Sequence, residues 1–409
     1  MGLLNYNPNL LMALAIIGTG LTKFGELWSY SWEDLVKEAC KEAIANAKIE
    51  IKDIDTSFFG NMNLSRFDGQ DHMVARIPEI IPGLNRVIRT EAACASGSVA
   101  LKLAATEIEL SSMKDGNGVA LVCGFEKMTD QLTGRTTNIL ASASHFDTEV
   151  MNGATFPGLY ALLAQRYLHE TGATEEDLHA VAIKNHRNAT LNEKAMYQKE
   201  INMNSFKSMV ASPLTLFDCS PISDGAAALI LTTEKCAKYL GADYVKLETI
   251  ELCNSTISLA KRQDPLVLDS AVCAAQTAYK RLGITPKDID MIEVHDCFTI
   301  NEILCLEAAG FAKRGEGYNL VRSLLPYDTI NTRGSPVPYH SDGRELFVNT
   351  SGGLKAKGHP VGATGVAQVI EIYQQLLGKA GKRNVNIKTG ATLNIGGTGG
   401  TASFSVLRC

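Results

Sequence analysis

The chain has 409 residues, 45% of them hydrophobic and 20% charged, with a net charge of −5; this is ordinary for a globular protein with a sizeable core and implies no polyelectrolyte partner. Lysines and arginines are dispersed, which excludes a nucleic-acid surface, and no apolar run reaches membrane-spanning length, Leu10 to Ile17 being broken by Gly18 and Gly20. Ten cysteines with no CxxC pair and no regular spacing read as neither a disulfide framework nor a zinc site, so the expectation is a reducing, cytoplasmic setting without metal, the C-terminus carrying no peroxisomal signal.

The first ten residues, MGLLNYNPNL, lack the basic region of a signal peptide and read as a short extension. Ala13 to Gly18 is a buried-strand run, followed by a helix from about Ser31 to Ala47. Gly18-Thr-Gly20 fails as a dinucleotide loop, because the third glycine of GxGxxG would fall at Lys23 and Gly25 comes two residues late. Thr56 to Asn61 is a second strand and a polar loop runs on to Asp71. Asn85 to Thr90 gives a short extended signal, and Val99 to Leu110 a largely apolar helix. Gly118 to Gly124 is again a buried strand. From roughly Lys127 to Leu216 long apolar runs give way to Met, His, Asn and Thr, which predicts an inserted, loop-rich subdomain; Ser223 to Leu231 returns to strand.

Lys52-Asp-Ile-Asp55 recurs as Lys287-Asp-Ile-Asp290, each time after an amphipathic helix and before an apolar strand. A repeat at half-chain scale indicates duplication rather than a solenoid. We therefore expect an α/β fold of two mixed-sheet halves, residues 1–242 and 243–409, the first carrying the insert. In this register the loop from Gly352 to Gly365 and its helix to Leu377 answer the turn around Cys94, after an insertion around Lys313 to Arg344. Ala391 to Gly396 and Ala402 to Leu407 form the final strand pair.

The turn Arg89-Thr-Glu-Ala-Ala-Cys94-Ala-Ser-Gly-Ser98 places Cys94 at or just before a helix N-terminus. Unpaired amides and the helix dipole favour negative charge there, which lowers a thiol pKa and makes a nucleophile; a buried structural cysteine is the other reading. Gly358-His359-Pro360 opens a helix through glycines that allow close backbone approach, and His at 359 where a phosphate loop needs Lys argues against ATP. His295, Asp296 and Cys297 stand at the end of the strand Met291 to Val294, where ligand sites of α/β sheets gather. His295 and Cys297 read as half a metal site, with Cys305 a turn or two further on, but no fourth ligand stands at plausible spacing. The terminal turn Gly396-Gly-Thr-Gly-Gly400 offers amides for an oxyanion and reads equally as a tight hairpin connection. One cysteine, two histidines and an amide-rich turn together suit acyl transfer through a thioester.

With CASG at Cys94, SDGAAA at Ser223, GHPVGATG at Gly358 and the glycine-rich end, the chain resembles the thiolase superfamily over essentially its whole length. It is most similar to the branch with HDCF in place of NEAF, the sterol-carrier-protein-type and archaeal acetoacetyl-CoA thiolases. The resemblance implies an αβαβα layering, with 127–216 as the loop domain over coenzyme A. It implies Cys94 as acyl-accepting nucleophile, His359 as its base and His295 as a holder of the thioester oxygen. The motif CxGGG reads Asn394-Ile-Gly-Gly here, so the acid/base thiol must come from elsewhere, and Cys297 is the candidate. Gly396, with the Cys94 amide, would form the second oxyanion hole, and Thr155 and Phe156 an acyl pocket. The implied reaction is Claisen condensation of two acetyl-CoA to acetoacetyl-CoA, early in mevalonate-type lipid synthesis, with no cofactor beyond the coenzyme A thioesters. Implied partners are a second or further copy of the chain, hydroxymethylglutaryl-CoA synthase and a small zinc-ribbon/OB-fold protein. A broader 3-ketoacyl-CoA thiolase, a decarboxylating ketoacyl synthase and a non-catalytic acyl-CoA-binding scaffold are the other readings.

Overall fold

A computed structural model describes residues 13–112, 118–327, 334–341 and 343–409. The N-terminal extension, and residues 328–333 and 342 of the expected insertion, lie outside them.

The first half contributes β1 (Leu14–Leu21), β2 (Thr56–Gly60), β3 (Val87–Thr90), β4 (Val119–Glu126) and, after a small hairpin of β5 (Met209–Ala211) and β6 (Leu214–Thr215), β7 (Gly225–Thr233). The second contributes β8 (Val245–Asn254), β9 (Met291–Val294), β10 (Pro338–Ser341), β11 (Arg344–Val348), β12 (Thr389–Gly396) and β13 (Thr401–Arg408). Outward from the middle, β1-β7-β4-β2-β3 is answered strand for strand by β8-β13-β12-β9-β11, with β10 added at the far edge. Directions match too: the first two pairings on each side are antiparallel and the next two parallel. The duplication read from the Lys-Asp-Ile-Asp repeat is thus a duplication of topology.

The two mixed sheets are not separate. Leu14–Ile16 pair antiparallel with Val245–Leu247, and this seam joins eleven strands into one sheet. Pairing the two inner edges satisfies backbone groups that would otherwise be unpartnered.

Helices α1 (Trp32–Ala47), α2 (Ser96–Ser112), α3 (Phe156–Glu170), α4 (Glu175–Ala189), α5 (Asp269–Leu282) and α6 (Thr364–Leu376) build the layers. α1 begins where sequence predicts, at a capping box: the Ser31 hydroxyl accepts from the Asp34 amide and Asp34 accepts from the Ser31 amide. It covers the outer face of β1, β4 and β7, while α5 covers β8 and β13. α2 and α6 pack on each other and on strands of both halves, as the central layer. Val122, Leu229, Ala104, Val366, Ile370 and Leu247 form one apolar cluster across that layer. Gly18 and Gly20 serve packing: a Cβ on either would run into the backbone of α1 at Ala43 or Ala39.

The insert holds α3 and α4, which pack against the helix Thr299–Ala308 and so lie over the second half. The polar loop expected to run to Asp71 contains a short helix, Leu64–Phe67, followed by another, Met73–Ile80. One expectation is corrected by the cysteines. Cys253 of β8 and Cys273 of α5 form a disulfide, brought together by α5 lying along β8 rather than by any spacing motif.

Candidate active site

The nucleophile turn is held open by local chemistry. Ala93 adopts φ +52°, a left-handed conformation that costs an alanine about 1 kcal/mol. The Ser96 hydroxyl compensates, accepting from the Ala92 amide at 3.0 Å and donating to the Ala93 carbonyl at 2.6 Å. Cys94 stands two residues before α2, as expected, and is buried. Burial decides its ionisation: desolvation pushes the thiol up to about 12, with the Gly397 amide, hydrogen-bonded to it, pulling the other way. The helix start expected to lower the thiol pKa does not offset the loss of water on burial. Cys94 rests as a thiol and requires a base.

That base is in place. The duplicated halves bring the two motif loops together where β2, β4 and α2 meet, and Sγ of Cys94 lies with one ring nitrogen each of His295 and His359 in a cluster spanning at most 4.8 Å. The His359 amide donates to Ser223 Oγ at 2.6 Å. Its Nδ1 is 2.7 Å from Thr364 Oγ1, and Thr364 donates its own proton to the Pro360 carbonyl at 3.0 Å. A hydroxyl that has given its proton can only accept, so Nδ1 carries the hydrogen and Nε2 presents a lone pair. Burial lowers His359 to about 3, with Lys357 adding to the shift, so the imidazole is neutral and able to take a proton.

His295 is fully buried, its ring edge-on to that of His359 with centroids 5.0 Å apart. Nδ1 is 3.0 Å from Asn394 Nδ2, and Nε2 is buried without a partner. Burial holds its pKa well below the ordinary histidine value. The sequence pairing of His295 with Cys297 as half a metal site gives way to this grouping with Cys94 and His359.

Cys297 lines the same cavity as Cys94 and His359, about 310 Å³ in volume. Burial, and then Cys94 nearby, raise its pKa well above the ordinary thiol value, and Tyr160 hydrogen-bonds to it in opposition. At rest the Tyr160 hydroxyl gives its single proton to the Gly397 carbonyl at 3.1 Å, so it serves Cys297 only when that proton turns toward a thiolate, and its ring stacks on Phe298 at 4.5 Å. Nothing in the spacing of α3 signalled Tyr160. The cavity wall is otherwise largely apolar, with Met128, Leu140, Phe156, Pro157, Ile222 and Val361.

Of the remaining sequence choices, Phe156 stands and two are corrected. Phe156 lines the cavity, but Thr155 caps α3, accepting from the Gly158 amide at 3.3 Å. Gly397 rather than Gly396 reaches the Cys94 thiol and lines the cavity, and its φ of +63° turns the amide inward. Gly396 lets the terminal turn lie against the Cys94 turn, since a Cβ there would stand 2.5 Å from the Ala92 carbonyl.

Buried carboxylates brace the loops. Glu126 accepts from the Met62, Asn63 and Gly362 amides and from Asn61, tying the end of β2 to the His359 loop. Asp296 accepts from the Leu354 and Lys355 amides and from Asn185 of α4. Burial holds both at about 7.

The chain is similar to known proteins along nearly its whole length. The chain matches the profile of the thiolase N-terminal domain over residues 14–235 and that of the thiolase C-terminal domain-like family over residues 253–409. It is 42% identical to an acetyl-CoA acetyltransferase of Methanothermobacter thermautotrophicus, across 96% of this chain and 98% of that protein. An acetyl-CoA acetyltransferase of Methanocaldococcus jannaschii is 43% identical, across 96% and 98%. Among solved structures an Ltp2-ChsH2(DUF35) aldolase shares the fold, with a TM-score of 0.77 at 24% identity over 97% of this chain and 98% of that one. Matched by both domain profiles and by relatives along nearly its whole length, the chain belongs to the thiolase family of acyl-transferring enzymes.

Proposed function

We propose that the protein is an acetyl-CoA C-acetyltransferase, condensing two acetyl-CoA to acetoacetyl-CoA and catalysing the reverse thiolysis. The observation that carries this reading is the cluster of Cys94, His359 and His295, of which Cys94 and His359 line a cavity together with the thiol of Cys297. The names of the two archaeal relatives support the acetyl group as the one transferred.

In this reading His359 Nε2 takes the Cys94 proton as Sγ attacks the thioester carbon, and the Cys94 and Gly397 amides face the oxyanion. The C–S bond to coenzyme A breaks and the departing thiolate takes the proton of Cys297, leaving acetyl-Cys94, an imidazolium and a Cys297 thiolate. That thiolate removes a methyl proton from the second acetyl-CoA. His295 and protonated His359 hold the enolate oxygen. The carbanion attacks acetyl-Cys94, the new C–C bond forms, the Cys94 C–S bond breaks, and the sulfur regains its proton from His359. All three groups return to their resting protonation.

The test is incubation with acetyl-CoA followed by peptide mass measurement, together with thiolysis of acetoacetyl-CoA. The expected results are an acetyl group on Cys94 and turnover that Cys94→Ser abolishes; label confined to another cysteine overturns the assignment. The apolar cavity wall supports a second reading, a 3-ketoacyl-CoA thiolase of broader chain length. Faster thiolysis of longer substrates in the same assay would establish it.

A cytoplasmic homodimer or dimer of dimers completes the proposal, with hydroxymethylglutaryl-CoA synthase and a small zinc-ribbon/OB-fold protein as partners. The DUF35 component named in the aldolase structure supports a small partner protein of this kind. Among the described residues no helix is long and apolar enough to cross a membrane. Light scattering that reports a monomer refutes the oligomer, and absence of both partners after purification from the native source refutes the complex.

A further inference from the structure

Asn394 projects from β12, where it pairs with Ser403, and is completely buried. Its two amide atoms have different neighbours. Oδ1 accepts from the Ser98 hydroxyl of α2 at 2.9 Å, and Nδ2 lies 3.0 Å from His295 Nδ1. Among the described residues the Ser98 hydroxyl has no other hydrogen-bond partner. It therefore gives its single proton to Oδ1, which fixes the amide with its N–H toward the histidine. An N–H can only donate, so Nδ1 of His295 must be the bare nitrogen and Nε2 must carry the hydrogen. Nε2 is the ring atom that is buried without a partner. A buried donor left unpaired costs about 1–3 kcal/mol, a cost that persists where an acceptor arrives with the substrate.

We propose that Asn394 is a positioning residue that, held by Ser98, locks His295 in its Nε2–H tautomer so that the ring meets the enolate oxygen as a donor. The proposal rests on the enolate role given to His295 above and supplies its physical cause. A bare nitrogen at Nε2 would set a lone pair against a forming oxyanion and repel it. Gly365, in the first turn of α6, makes the arrangement sterically feasible: a Cβ there would run into Ser98 Oγ and stand 2.7 Å from Asn394 Oδ1. The relay thus uses both central helices, α2 through Ser98 and α6 through Gly365, with the end of β12 between them.

The sharpest variant is Asn394→Asp, nearly the same shape with the donor removed. A carboxylate beside Nδ1 accepts a hydrogen and draws the proton there, baring Nε2. At low pH the protonated carboxyl donates again and the original tautomer returns. In Asn394→Asp condensation should fall about 10²–10³-fold, the usual effect of removing one oxyanion donor. KM for acetyl-CoA and acetylation of Cys94 should stay near wild type, and activity should recover as pH falls, opposite to a simple loss of fold.

Long-range nitrogen–proton NMR on protein labelled with 15N-histidine, with His295→Ala for assignment, reads the tautomer directly. Nε2–H in the wild type and Nδ1–H in Asn394→Asp at neutral pH are expected. Nδ1–H in the wild type overturns the proposal, even if the variant does not fold. So does a folded Asn394→Asp with unchanged tautomer or unchanged condensation. Failure of wild-type Cys94 to take an acetyl group would instead undo the proposed function, and the tautomer measurement distinguishes the two.

Discussion

Gly97 and Gly362 touch through bare backbone: a Cβ built on Gly97 would stand 2.6 Å from the Gly362 carbonyl. Gly97 lies three residues past Cys94 and Gly362 three past His359, so the separation of nucleophile and base is set by glycines. A Cβ on Gly60 would meet Gly97, and one on Gly124 would meet the same Gly362 carbonyl. Gly97→Ala must therefore push the two loops apart. We expect a stability loss of about 1–3 kcal/mol from overpacking, and a fall in Cys94 acetylation of up to 10²-fold, since a displacement near 1 Å suffices for that. Gly134→Ala, where the added methyl meets nothing within 4 Å, is the control. Equal acetylation rates in the two variants would show that the crossing does not set the geometry.

Cys94 gives a second prediction through its reactivity. With the thiol near 12 and His359 near 3, the resting pair is thiol and imidazole rather than thiolate and imidazolium. Alkylation of Cys94 by iodoacetamide should rise about tenfold per pH unit from 7 to 9 without levelling. A plateau below pH 8 would reveal a preformed thiolate. His359→Ala should slow Cys94 acetylation by about 10²–10⁴-fold, as loss of a general base does.

The sequence showed the halves, the Cys94 turn and the two histidines because each rests on a local signal: a repeat, a strand end, a glycine-flanked motif. What it could not show depends on distance in space. The seam of β1 with β8, the Cys253–Cys273 pairing and the hydrogen bond from Tyr160 all join residues far apart in the chain. Asn394 was legible only as the absence of a cysteine, because its partners Ser98 and His295 lie 296 and 99 residues away. The thiol pKa was misjudged for a related reason: helix position is local, whereas burial is set by the whole fold.

Acid should destabilise the protein along a bent curve. His186 and His359 are lowered to about 3 by burial, and His295 well below its ordinary value. The unfolded chain binds protons at these sites below pH 6.5 that the folded chain refuses, so each removes stability as pH falls, by up to about 1.4 kcal/mol per pH unit. Glu126 and Asp296, raised to about 7, act oppositely. Between pH 7 and about 4 the folded chain keeps protons there that the unfolded chain releases, so these two groups add stability as pH falls across that window. The opposing effects partly cancel between pH 6.5 and 4.5, and below it the histidines act unopposed. With three histidines set against two carboxyls, urea midpoints taken at pH 7, 6, 5, 4 and 3.5 should fall gently at first and about three times more steeply at the end. A decline of constant slope from pH 6.5 downward would contradict this assignment.

Cys297 carries the prediction that best separates the two halves of the reaction. It shares the cavity with Cys94 and lies close enough that Cys94 raises the cost of ionising it. Its resting state is a thiol, because burial is the largest influence on it. Release of coenzyme A as a thiolate gives it the event that removes its proton. If this is its work, Cys297→Ala should still take an acetyl group on Cys94, yet lose condensation and exchange of the acetyl-CoA methyl with deuterium, by about 10²–10⁴-fold. Tyr160→Phe should act in the same direction and more weakly: the hydroxyl that could turn its proton from the Gly397 carbonyl to a newly formed Cys297 thiolate is lost, while the ring stack on Phe298 remains. A buried cysteine with a purely structural role gives a different pattern: a modest drop in the urea midpoint and both half-reactions reduced together. The measurement is Cys94 acetylation, methyl exchange and condensation on one preparation of each variant, with the fold checked by circular dichroism. Normal exchange and condensation in folded Cys297→Ala would remove the thiol from the reaction and leave the methyl proton to another group on the cavity.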